Sequence, residues 1–131
     1  MNNPTRVAVI TGASQGIGEA LVAGYRGLGY AVVANSRNIV AGDDPSALAV
    51  AGDIGVPGVG QRIIDAAIER FGRVDTVVNN AGISANLSID DPDYEAQWDR
   101  HLAILLTAQQ RMIRAALPHL RKAANPRIVN I

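Results

Sequence analysis

Short unbroken apolar runs alternate along this chain with longer stretches in which apolar side chains recur every three or four positions. Val7-Ala8-Val9-Ile10 is the first run, as a parallel strand covered on both faces requires. Ile17, Leu21, Tyr25 and Leu28 follow at helical spacing, and Gly29 stands where a helix C-terminus favours glycine. Residues 30–34 and 47–51 read as the second and third strands. Val59, Ile63, Ile64, Ala67, Ile68 and Phe71 line one face of a helix that Gly72 stops. Residues 74–78 make a fourth strand, with Asp75 near its start. Asp91, Pro92 and Asp93 supply an N-cap and a proline at the first helical position. The long helix 94–117 then carries Leu102, Leu105, Leu106, Gln109, Met112, Ile113, Ala116 and Leu117 on one stripe, and Pro118 ends or bends it. Residues 127–131 read as one more buried strand.

Strands alternating with helices imply right-handed crossovers and a parallel sheet. The expected fold is α/β. The stretch between Arg37 and Ala47 leaves room for a very short crossover helix or none. At 131 residues, without repeats or linkers, the chain reads as a single domain over 1–131. It stops inside the fifth strand, so the sheet is expected to be truncated there and the domain incomplete at its C-terminus.

Composition removes several classes of partner. Twelve Lys and Arg residues balance twelve Asp and Glu, which argues against nucleic acid or an anionic membrane, since both demand a positive field. No apolar run approaches the roughly 20 residues of a membrane span. Residues 1–6 lack the charged and apolar regions of a leader peptide. With no cysteine, disulfides and thiolate chemistry are excluded, and a cytoplasmic location is the expectation.

Gly12, Gly16 and Gly18 follow the spacing G-x-x-x-G-x-G between the first strand and the first helix. Glycines there let the backbone turn tightly and press against a pyrophosphate, while the helix N-terminus offers free amide hydrogens and a positive dipole end. Ser14 adds a hydroxyl donor to the loop. A glycine triplet alone is weak evidence. Its place in the first crossover of an α/β pattern makes a dinucleotide cradle the better reading than an ordinary tight turn.

Thr11-Gly12-Ala13-Ser14-Gln15-Gly16-Ile17-Gly18, together with Asn79-Asn80-Ala81-Gly82 after the fourth strand, resembles the short-chain dehydrogenase/reductase family. The resemblance covers the whole chain. It implies a Rossmann-type doubly wound parallel sheet, its strands ordered 3-2-1-4-5, that binds a nicotinamide dinucleotide, with Gly12, Ser14, Gln15, Gly16, Ile17 and Gly18 around the phosphates. It also implies that Asn79, Asn80, Ala81 and Gly82 stabilise the central sheet and line the adenosine and ribose side of the cofactor.

The end of the second strand bears on which dinucleotide is taken. A carboxylate there would accept from the adenosine ribose 2′-OH and repel a 2′-phosphate. This chain has Asn35-Ser36-Arg37, with Ser36 where NAD-specific relatives carry the acid. Arg37 can pair with a phosphate through its planar fork, so NADP(H) is favoured over NAD(H). Asp53-Ile54 matches the family's adenine-contacting pair; Asp53 reads equally as a helix N-cap, and both roles can hold.

The family's catalysis needs a serine, a Tyr-x-x-x-Lys pair and, on the long helix, an asparagine. The resemblance places the serine and the pair beyond Ile131, and Tyr25, Tyr30 and Tyr94 have no lysine four residues on. A phenol needs such a neighbouring cation to act near neutral pH. The asparagine position falls on Leu105, which reads as core. No catalytic residue is therefore assigned. His101 and His119 have no ligand-spaced partners, so no metal site is assigned either. Trp98 reads as a packing anchor, and Asp90, Asp91, Asp93 and Glu95 as helix-capping charge. The expected function is the NADP(H)-binding portion of an oxidoreductase that moves a hydride between nicotinamide and a carbonyl or alcohol, inactive on its own. The alternative is a truncated protein that binds nucleotide or a partner without turnover. Helix 94–117 is the expected face for a homo-oligomer if a longer chain exists.

Overall fold

The computed structural model describes residues 5–131; residues 1–4, part of the stretch without leader-peptide features, lie outside the described residues. Five strands form one parallel sheet: β1 (Val7–Thr11), β2 (Ala31–Ser36), β3 (Ala47–Ala51), β4 (Thr76–Asn79) and β5 (Arg127–Asn130). Their order is β3-β2-β1-β4-β5, as the family resemblance implies. The helices are α1 (Gly16–Gly27), α2 (Val59–Phe71), α3 (Tyr94–Leu102) and α4 (Ala108–Leu120), the last two joined by a π-helical turn at Ala103–Thr107.

The pleat sorts the core into two layers. Val9 pairs in register with Val33 and Val77, and Ile10 with Ala34 and Val78. Val9, Val33 and Val77 pack with Ile63 and Ile64 of α2 and Met112 of α4, while Ile10, Val32 and Val78 pack on Leu21 and Tyr25 of α1. Helices on both faces explain why Val7–Ile10 of β1 and Ala31–Ala34 of β2 are apolar in successive rather than alternate positions. The β2–β3 connection holds no helix, and a 2.6 Å ion pair between Arg26 and Asp44 ties it to α1. Gly29 and Gly72 both take left-handed backbone just past their helices, where the sequence sets the stops.

Several sequence expectations need correction. Ile17 and Leu28 stand out in solvent at 61% and 71% exposure, so only the middle of the α1 stripe packs. Pro92 precedes α3 instead of opening it, because the Asp91 side chain accepts from the Asp93 N–H at 2.9 Å and closes a turn first. The stripe drawn on 94–117 holds for Met112 and Ala116 but fails upstream, where Leu102, Leu105 and Leu106 are exposed and Ile104 is buried. The π-helical turn is the reason: one extra residue per turn rotates everything before it relative to α4. Leu105 is therefore not core. Trp98 is exposed as well and stacks on Tyr94 at a centroid distance of 6.4 Å. Pro118 lies inside α4, which continues to Leu120. In this structure β5 is an exposed edge rather than a buried strand.

Asp75 fixes the opposite end of the sheet from the glycine loop. Its carboxylate, 4% exposed, accepts from Val7 N at 2.9 Å and takes Arg73 through two nitrogens, at 2.6 and 2.9 Å. Burial opposes the charge, yet the Arg73 and Val7 hydrogen bonds and the nearby Arg73 and Arg6 charges outweigh it and hold the carboxyl below its usual range. A lowered folded-state value adds stability that is complete above the unfolded aspartate value near pH ~4 and is lost as pH falls through the folded one. Asp75→Asn should cost about 2 kcal/mol at neutral pH and flatten this acid-side decline. Urea unfolding at neutral and acid pH measures both; an unchanged midpoint at neutral pH would show that the carboxylate contributes nothing.

Candidate functional site

The first crossover leaves β1 upward to α1 on one face, and the chain returns through β4 to α3 and α4 on the other. A crevice opens where neighbouring connections diverge in this way, outside the carboxyl ends of the strands. Here it is a cavity of about 340 Å³ bounded by the β1–α1 loop, the ends of β2 and β4, the β3–α2 loop and α3.

Thr11 at the end of β1 organises the near wall. Its side-chain oxygen accepts the backbone N–H groups of Asn80 and Ala81 at 3.1 and 3.0 Å. The Asn80 amide in turn donates to the carbonyls of Thr11 and Gly12, both at 3.2 Å. The two sequence motifs are thus stitched together, and the stitching leaves no space for side chains. A Cβ on Gly12 would lie 2.8 Å from Ala81 Cα, and one on Gly18 would run into the Gly12 carbonyl and sit 2.7 Å from Asn80 Nδ2. Gly16, at φ 56°, has open space around it and serves the turn instead. No side chain caps the first turn of α1, so its leading N–H groups stay available.

Asn35, Ser36 and Arg37 reach the cavity from β2. The buried Asn35 amide is spent on the carbonyls of Val50 and Gly52, at 2.9 and 3.1 Å, which pins β3's exit to β2. Ser36 is half-buried and Arg37 exposed. Asp53 does not cap a helix, because α2 begins only at Val59. Its Oδ1 accepts from Gly55 N at 2.9 Å, closing a turn, and its Oδ2 pairs with Arg100 Nη2 at 2.8 Å. Desolvation works against that carboxylate, but the Arg100 and Gly55 hydrogen bonds and the charges of Arg100 and Arg37 prevail and lower its pKa. Ile54 is buried beside it.

Most residues expected at the site are brought together. Gly12, Ser14, Gln15, Gly16, Ile17, Ser36, Arg37, Asp53, Ile54, Asn80, Ala81 and Gly82 all line the cavity. Gly18 and Asn79 do not. Gly18 supports the loop from behind, and the Asn79 amide donates to Asn130 of β5 at 2.9 Å. Arg100 and Ile104 line the cavity unforeseen, since only the tertiary fold brings α3 to the β3–α2 loop. Leu105 sits at the rim beside Gly82. Among the described residues, no group of three or more His, Cys, Asp or Glu side chains gathers as a metal site, and no helix is long and apolar enough to cross a membrane.

The sequence pattern of the family described as short chain dehydrogenase matches residues 6–131. The D-beta-hydroxybutyrate dehydrogenase of Rhizobium meliloti is 34% identical over 138 residues, which cover 97% of this chain and 53% of that protein. The ligand-free aldohexose dehydrogenase of Thermoplasma acidophilum superposes with a TM-score of 0.86 at 26% identity, covering 96% of this chain and 48% of that one. The L-sorbose reductase of Gluconobacter frateurii, complexed with NADPH and L-sorbose, gives a TM-score of 0.84 at 27% identity, covering 96% of this chain and 51% of that one. The chain spans about half the length of the curated relatives it matches.

Close packing and backbone turn make different demands on the loop glycines. Gly18→Ala has no void to enter and should cost more than about 3 kcal/mol, whereas Gly16→Ala meets only backbone strain of about 1 to 2 kcal/mol. Chemical denaturation of the two variants reads this order directly, and equal losses would contradict it.

Proposed function

The chain belongs to the short-chain dehydrogenase family of oxidoreductases, which bind nicotinamide dinucleotides, and on that premise we propose that it holds NADP(H) in the cavity above β1 and β4. The reading rests above all on the Gly12–Gly18 loop, where Gly12 and Gly16 line the cavity without side chains and the uncapped end of α1 lies beside it. Such a surface accepts a pyrophosphate because N–H groups approach it without intervening side chains. When bound, the dinucleotide supplies hydride transfer to or from a carbonyl or alcohol. This chain's own residues bind and orient it: Gly12, Ser14, Gln15, Gly16 and Ile17 at the phosphates, Asn80, Ala81 and Gly82 along the ribose, and Asp53 and Ile54 at the adenine. Gly18 and Asn79 act from behind the wall.

Preference for the 2′-phosphate rests on Ser36 and Arg37, which leave no carboxylate at the end of β2. The NADPH in the L-sorbose reductase complex shows that the fold accommodates the phosphorylated cofactor in one similar protein. None of the three tyrosines in these 131 residues has a lysine four positions on, so the chain itself supplies no phenol activated in that way. Leu105, exposed beside Gly82, offers no polar group for a proton relay. We therefore assign these residues the binding step, and the hydride transfer to the whole protein. The absence of cysteine suits a cytoplasmic location, and the exposed apolar side chains of 94–117 suit pairing of that helix with a second copy.

Isothermal titration with NADPH and NADH tests the reading. NADPH should bind about tenfold tighter, and Arg37→Ala should abolish most of that difference while leaving NADH nearly unaffected. Equal affinities in the unaltered protein would refute the preference; no binding of either would refute the site. The 131-residue chain should bind without reducing a carbonyl, which NADPH absorbance reports.

A further inference from the structure

One carboxylate stands in the cavity with two guanidinium groups. Arg100 holds Asp53 in an ion pair at 2.8 Å, and the two side chains are each about one-third exposed, at 33% and 31%. The guanidinium is seated tightly: a Cβ on Gly55 would lie 2.9 Å from Arg100 Nη1 and 3.0 Å from Ile104 Cγ1. Arg37 lines the same cavity and forms no ion pair among the described residues. Its charge is nonetheless felt at Asp53, where it contributes to the lowered pKa.

A fixed carboxylate near a free guanidinium attracts it, and a guanidinium so paired has less attraction left for a phosphate. Two positive groups and one negative leave a net positive cavity, in which one arginine is free for an anion. Without Arg100, Asp53 would be free to neutralise Arg37. We propose that Arg100 is a positioning residue for cofactor choice: by occupying Asp53 it leaves Arg37 available to the 2′-phosphate of an NADP-type dinucleotide. The inference rests on the dinucleotide reading above, but Arg100 itself needs no contact with the phosphate. An exposed ion pair is worth little to stability, so the role lies in steering charge within a concave site.

The test is titration of NADPH, NADH, adenosine 2′,5′-bisphosphate and AMP into the unaltered protein, Arg100→Gln and the double variant Arg100→Gln/Asp53→Asn, each checked for folding by circular dichroism. Arg100→Gln should weaken NADPH and the bisphosphate about tenfold, with NADH and AMP changed less than about twofold. Removing the freed carboxylate as well should restore the NADPH-to-NADH and bisphosphate-to-AMP affinity ratios to within about threefold of the unaltered protein, any loss at the adenine falling on all four ligands alike. Equal weakening of all four ligands, or no recovery in the double variant, would overturn the proposal and leave Arg100 a structural contact. If Arg100→Gln fails to fold, Arg100→Met takes its place under the same expectations: selective weakening of the two 2′-phosphorylated ligands supports the proposal, and equal weakening of all four overturns it. Failure of the underlying reading looks different, because the unaltered protein would then bind none of the ligands or show no preference for the 2′-phosphate.

Discussion

Thr11 Oγ1 accepts two backbone N–H groups from the segment after β4, and the geometry of the whole crevice follows from that contact. β1 and β4 are neighbours in the sheet, but their connections leave toward opposite faces, so nothing in the sheet itself would hold the two loops together. A hydroxyl at the end of β1 does so, and the Asn80 amide completes the seam by reaching back to the Thr11 and Gly12 carbonyls. Once the loops are that close, a side chain at 12 or 18 becomes impossible. The glycines are then a consequence of the seam as much as a device for a ligand. Binding surface and structural joint are the same atoms.

Charge is organised differently at the two ends of the strands. Asp75, at the amino end of β4, is buried and satisfied by Arg73 and Val7 N, so its worth is structural and fails only in acid. Asp53, at the carboxyl end, is paired with Arg100 but remains one-third exposed beside a cavity. The same chemistry therefore has opposite consequences. A buried pair that loses a partner strands a charge and costs stability. A half-exposed pair that loses one releases a charge into the site and changes what the site attracts.

The elements of the fold were legible because both periods are strongly written. The apolar runs at 7–10 and 47–51 and the 3.6-residue spacing of Val59 to Phe71 correspond closely to β1, β3 and α2. The alternation of strands and helices carried the parallel sheet, and the strand order came with the family resemblance. What the sequence hid was tertiary. The π-helical turn at Ala103–Thr107 has no local signature, yet it rotates Leu102, Leu105 and Leu106 out of the stripe that periodicity assigns them. Arg100 reads as an ordinary helix-surface charge until α3 is docked against the β3–α2 loop. Thr11 reads as the first residue of the glycine motif and gives no hint of the seam.

Asn79 and Asn80 show where motif reading reaches its limit. They are identical, adjacent and part of one tetrapeptide, and the resemblance assigns them one shared role. In an extended strand successive side chains point to opposite sides, so neighbours meet different partners. Asn79 is the last residue of β4 and gives its amide to Asn130 on the adjoining strand, 51 positions away in sequence. Asn80 lies just beyond the strand end and turns its amide to Thr11 and Gly12. One asparagine belongs to the sheet and the other to the cavity wall, and a one-residue slip of β4 would carry one of them into the other's place. The register Ala8–Thr76, Val9–Val77 and Ile10–Val78 forbids that slip, because it would put Asn79 into the core place of Val78 or Thr76 into that of Val77. Hydrophobic packing on both faces of β4 thus decides which of two like amides reaches the site.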